Sequence, residues 1–112
     1  MQSVVHLVSA DETEQETALT IAQNMLDDES GSIDDVAVVV QGPAITAASA
    51  ESEHSDEVQS LLDAGVSVRA CRNTLAATDM DESALVDGIE TVPEGAVEVT
   101  RLEDQGYAYL RP

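Results

Sequence analysis

Five consecutive apolar residues, Val36-Ala37-Val38-Val39-Val40, constrain this chain more than any other stretch. A strand with one solvent face alternates apolar and polar positions. A run that is apolar throughout must be covered on both faces, which is the condition of a strand inside a parallel sheet. Parallel neighbours need crossovers of a dozen or more residues, usually helical, and the flanking sequence supplies them. Val4 to Val8 is another short apolar run, closed by Ser9 and an acidic stretch. From Asp11 to Glu29, Ala18, Ile21, Ala22, Met25 and Leu26 fall on one helix face. Acidic residues crowd the start of that helix, where its dipole favours them. Gly31 and Ser32 then break the chain.

After the central strand, Gln41-Gly42-Pro43 signals a turn, and Ala44 to His54 reads as a loop with at most a helical turn. Ser55 reads as an N-cap followed by Asp56 and Glu57, with Val58, Leu61 and Leu62 as the buried stripe and Gly65 as the stop. Val66, Val68 and Ala70 alternate with Ser67, Arg69 and Cys71, which predicts a third strand ending at Cys71. Asn73 is placed to cap a short helix through Leu75 and Ala77. A polar connection, Asp79 to Asp87, is anchored by Leu85 and Val86. Gly88 to Val92 is a weak fourth strand stopped by Pro93. Glu94 to Gln105 has roughly helical spacing, ended by Gly106, and Tyr107 to Leu110 is a last strand. The order βαβαβαβαβ predicts an α/β protein, a three-layer α/β/α sandwich with a five-stranded parallel sheet.

With 112 residues, the chain suits one domain spanning 1–112. Phe and Trp are absent, so the core is built from Val, Ala, Leu and Ile. The 23 acidic residues face four cations, Arg69, Arg72, Arg101 and Arg111, and the net charge is -19. Nothing here can neutralise a row of phosphates, which excludes nucleic acid and anionic membranes as partners. The charge is spread along the chain and lysine is missing, a composition matching cytoplasmic proteins of salt-in halophiles. One cysteine excludes an internal disulfide and a cysteine-rich zinc site, and fits a reducing, cytoplasmic setting. The N-terminus lacks a basic region and a long apolar stretch, so no signal peptide is expected. No segment approaches the ~20 apolar residues of a membrane helix.

Ligands of open parallel sheets bind beyond the carboxyl ends of the strands. Three segments are expected there: Ser9-Ala10-Asp11, Gln41-Gly42-Pro43-Ala44 and Cys71-Arg72-Asn73-Thr74. The third carries the most information. Cys71 sits where a strand gives way to a helix, and Arg69 and Arg72 flank it. Helix N–H groups and local cations stabilise a thiolate. Free cysteine is also a common small buried residue, so a reactive and a packed Cys71 both remain open. The Gln41-Gly42 loop lacks the glycine spacing and lysine of a phosphate loop, no GxGxxG follows the first strand, and no cofactor is expected. His6 reads as a satisfied core or interface histidine and His54 as a solvated one. Two dispersed histidines give no metal site, and pairs such as Asp27-Asp28 and Asp34-Asp35 read as solvated surface.

The segment Val66-Ser67-Val68-Arg69-Ala70-Cys71-Arg72-Asn73-Thr74-Leu75 resembles the third-strand cysteine segment of the DsrE/DsrF-like (YchN-like) family. Val38 to Ile45 is similar to that family's second strand and glycine loop. Val92 to Val97 and Leu102 to Pro112 resemble its last helix and strand. The resemblance implies that the last strand lies beside the first, and that the protein forms homo-oligomers, commonly trimers or hexamers. It also implies sulfur-relay chemistry, in which a cysteine holds sulfane sulfur as a persulfide and passes it between a donor and an acceptor. Cys71 alone matches the sulfur-carrying cysteine, although the Cys-x-Asn-Thr form departs from the well-studied relay subunits. On this reading Arg72 and the N–H groups around Asn73 and Thr74 stabilise the anion, and Gln41 and Gly42 line the pocket. The alternatives are a non-catalytic oligomeric binding or regulatory module, and a thiol redox sensor.

Overall fold

The computed structural model describes all 112 residues. The elements are β1 (Gln2–Leu7), α1 (Glu12–Leu26), β2 (Asp35–Val40), a 3-10 helix (Gly42–Ala48), α2 (Ser55–Asp63) and β3 (Ser67–Cys71). Then follow α3 (Arg72–Ala77), a 3-10 turn (Glu82–Ala84), β4 (Glu90–Val92), α4 (Gly95–Asp104) and β5 (Tyr107–Leu110). Every strand pairing is parallel, and the sheet order is β4-β3-β2-β1-β5. The last strand does lie beside the first. The α/β fold with a five-stranded parallel sheet is the one expected from the alternation of apolar runs and amphipathic stretches.

The order explains the layers. From β1 through β2 and β3 to β4 the chain steps in one direction. Right-handed crossovers in one direction place their helices on one face. Ala18, Leu19 and Ala22 of α1, Val58 and Leu61 of α2 and Leu75 of α3 accordingly share one cluster with Val5, Leu7, Val36, Val38, Val40 and Val68. The return from β4 to β5 runs the other way, and the same handedness delivers α4 to the opposite face. There Val99 and Leu102 cover Val4, Ala37 and Val39. β2 is thus apolar on both sides because it is the strand buried on both sides.

One helix covers only the middle of that second face. The face is therefore polar toward its margins, where the half-buried Ser67 and Arg69 alternate with the buried Val68 and Ala70 of β3, before the strand ends in the buried Cys71.

Several local expectations are corrected. β1 begins two residues earlier than the apolar run, because Gln2 and Ser3 pair with Asp35 and Val36. Ser55 is the first helical residue of α2 rather than its cap; His54 holds the cap position with no side-chain bond. Asn73 lies inside α3, and Cys71 takes the cap position. No helix is long and apolar enough to cross a membrane.

Candidate functional site

The period of two along β3 turns Cys71 to the face that carries α4. In register, Cys71 stands beside Val92 of β4. Pro93 and Glu94 follow Val92, and Glu94 is the N-cap of α4. This path brings the start of α4 against the start of α3. Glu94 Oε1 accepts the Ala96 N–H at 3.1 Å. Glu94 Oε2 accepts the Asn73 Nδ2–H at 2.9 Å and is 3.7 Å from Cys71 Sγ, whose S–H points to it. The Asn73 amide, and after it the Ala96 N–H, hold the Glu94 carboxyl below its ordinary range against a smaller opposing effect of burial. Glu94 is therefore a carboxylate near neutral pH, placed to accept the Cys71 S–H.

The flanking arginines do not close on the sulfur. Arg69 Nη1 donates to Glu98 Oε2 at 2.9 Å, and its Nε donates to Ser67 Oγ at 3.0 Å. Glu98 also accepts from Arg101 Nε at 3.0 Å. Arg72 is exposed and makes no ion pair. The Asn73 backbone N–H is taken by the Pro93 carbonyl at 3.3 Å. Cys71 itself is 1% exposed.

The remaining residues singled out in the sequence divide between two sides of the sheet. Gln41 joins the α4 side. Its Oε1 is 2.7 Å from His6 Nε2, and His6 Nδ1 is 2.6 Å from the Tyr109 hydroxyl. A neutral imidazole donating to Gln41 and accepting from Tyr109 satisfies both contacts. His6 is thus the satisfied histidine its place in a strand suggested. Gly42, at φ +60°, turns the chain away, and its N–H donates to Thr74 Oγ1 at 3.0 Å. Beside that bond lies an open groove of about 930 Å³ between the first 3-10 helix and α3, with Gly42, Pro43, Asn73, Thr74 and Met80 in its wall. Cys71 is not part of that wall. Asn73 alone touches both places.

Glu94 is the residue that sequence reasoning missed at this site. One signal was available: Pro93-Glu94-Gly95 after a strand is a helix start, and a carboxylate there can cap. Its contact with Cys71 required knowing that β4 lies beside β3. Tyr107 was also missed. Its hydroxyl donates to Asp35, a bond that raises its pKa, with burial adding to the rise.

The chain belongs to the DsrE/DsrF-like family, whose model matches residues 2–112. That family is associated with sulfur relay. Among solved structures, a protein of unknown function from Methanobacterium thermoautotrophicum is similar, with 31% identity and a TM-score of 0.92. That match covers 99% of this chain and 98% of the other. The YchN protein from E. coli matches over 100% of both chains, with 18% identity and a TM-score of 0.82. A conserved protein of unknown function from Bacteroides thetaiotaomicron matches over 99% of this chain and 94% of its own, with 13% identity and a TM-score of 0.77. The last two show the shared fold alone. No match was found among curated proteins.

Proposed function

We propose that this protein works in sulfur relay and that Cys71 holds the sulfane sulfur as a persulfide. The observation that carries this reading is the placement of the only cysteine at the carboxyl end of β3 with a carboxylate in contact with its S–H. The S–H proton leaves by way of Glu94 to water. The thiolate attacks the outer sulfur of a hydropersulfide donor, a new S–S bond forms, and the donor's own S–S bond breaks. The donor departs as a thiolate with the electron pair. A second thiolate, on an acceptor, then takes the outer sulfur from Cys71 by the same exchange. No resolving cysteine exists in the chain, so the acceptor is another molecule. Asn73 and Gln41, on the side of the sheet that carries α4, shape the approach, whereas Gly42 and Thr74 line the separate groove; Arg72 offers an exposed cation to a partner.

Intact-protein mass measurement tests this, after incubation with a hydropersulfide donor in molar KCl. Added sulfur masses that vanish in Cys71→Ser and on reduction are expected. An unmodified mass on a folded protein would overturn the proposal. The 1% exposure of Cys71 favours a second reading, a binding or regulatory module in which the thiol is packing and the groove beside Thr74 takes the ligand. On that reading Cys71→Ser destabilises the fold and no sulfur is retained.

Assembly into homo-oligomers, trimers or hexamers, belongs to the same proposal. Tyr109 and Leu110 of the edge strand β5 are 39% and 40% exposed and would be covered by another copy. Light scattering in molar KCl should give a multiple of 11.8 kDa, and a monomer would refute it.

A further inference from the structure

We infer that Glu94 makes Cys71 selective by charge, so that its sulfur donor is uncharged at the reacting S–S bond. This rests on Cys71 as the sulfur-holding residue. The Glu94 carboxylate is 3.7 Å from Sγ and is fixed there by two further bonds, from Asn73 Nδ2 and from the Ala96 N–H. It cannot swing away without uncapping α4. The cations that could offset it are engaged or distant in effect: Arg69 is held by Glu98, and Arg72 stands in solvent. Any reagent reaching Sγ passes a fixed negative charge at contact distance. Two like charges a few ångströms apart in a partly buried site repel more strongly than in water. Molar salt has a Debye length of about 3 Å, shorter than the 3.7 Å contact, so it weakens the repulsion; what survives does so because a partly buried charge is screened less than an exposed one. The protonated, uncharged form of a hydropersulfide is admitted, whereas its anion, thiosulfate and polysulfide anions react slowly.

Two disulfide reagents of opposite character test this. Dithiodipyridine is neutral and dithiobis(nitrobenzoate) is a dianion; each gives Cys71 a mixed disulfide and releases one thiolate. The rate ratio, neutral over anionic, is measured on the native protein and on the urea-unfolded chain in the same KCl buffer. Burial slows both reagents and the chain-wide charge is shared, so the comparison isolates the local field. The native ratio should exceed the unfolded one by about twofold. Glu94→Gln, whose amide oxygen can still cap α4, should lose that excess, and Glu94→Asp should keep it. Equal native and unfolded ratios in the wild type would overturn the inference even if no variant folds. So would an excess that survives in Glu94→Gln. A charge-selective thiol that retains no sulfur from any donor would defeat the sulfur-relay reading and leave the filter standing.

Discussion

Gly95→Ala is a small change with a calculable cost. Gly95 is buried at the start of α4, against Gln41. A Cβ there would lie 2.7 Å from Gln41 Oε1, 3.0 Å from its Cδ and 3.1 Å from its Cβ. Turning the amide alone cannot relieve a contact that reaches the root of the side chain, so Gln41 must leave its place. It then gives up the 2.7 Å bond to His6 Nε2. A lost hydrogen bond costs about 0.5–1.5 kcal/mol, and forcing added volume into a packed site costs about 1–3 kcal/mol. Alanine returns at most about 1 kcal/mol over glycine through helix propensity. The net loss is about 0.5–3.5 kcal/mol, which for a chain of this size lowers Tm by roughly 2–14 °C. Thermal unfolding followed by circular dichroism in molar KCl measures it. The Gln41→Ala background supplies the control: there Gly95→Ala should cost little, since the clashing group is gone. An unchanged or raised Tm in the single variant would refute the reasoning, as would equal costs in both backgrounds.

Three further outcomes are expected. Tyr107 has its pKa raised by the hydrogen bond to Asp35 and by burial; the native state holds the proton more tightly, so this stability is full below about pH 10 and is lost as pH rises through the folded value. Urea denaturation should show the decline in wild type and not in Tyr107→Phe; parallel curves would contradict it. Glu98→Gln should cost about 2 kcal/mol, because it strands Arg69, only 22% exposed, without its carboxylate, whereas Arg101→Ala, at 59% exposure, should cost under about 1 kcal/mol. The reverse order in urea titrations would rule this out. With a net charge of -19, the fold should loosen on dialysis from molar KCl into dilute buffer, and an unchanged circular dichroism spectrum would count against it.

The fold was legible because each apolar run had one structural solution. Val36 to Val40 demanded cover on two faces, and the helical stripe of α1 could cover one. Strand order was less visible: periodicity says that strands are parallel but not which are neighbours. The family resemblance supplied the place of β5. At the site, nearness in sequence misled. Arg69 shares a face with Cys71, yet the geometry of α4 gives it to Glu98. Arg72 follows Cys71 directly, but the change from strand to helix leaves it exposed. Glu94 was one of 23 acidic residues, and only the adjacency of β3 and β4 picks it out.

The place of β5 beside β1 has a consequence during synthesis. β1 is made before the other strands of the sheet and β5 after them, with Val4 paired to Tyr109. At ribosomal rates the nascent chain spends on the order of ten seconds with one edge of β1 unpaired. Throughout that interval Val4, Ala37 and Val39 also lack Val99 and Leu102 above them. An open parallel edge next to bare valines invites neighbouring nascent chains to stick. The long acidic run after β1, where Asp11, Glu12, Glu14 and Glu16 emerge immediately behind it, places mutual repulsion beside the exposed edge while the sheet waits for its last strand.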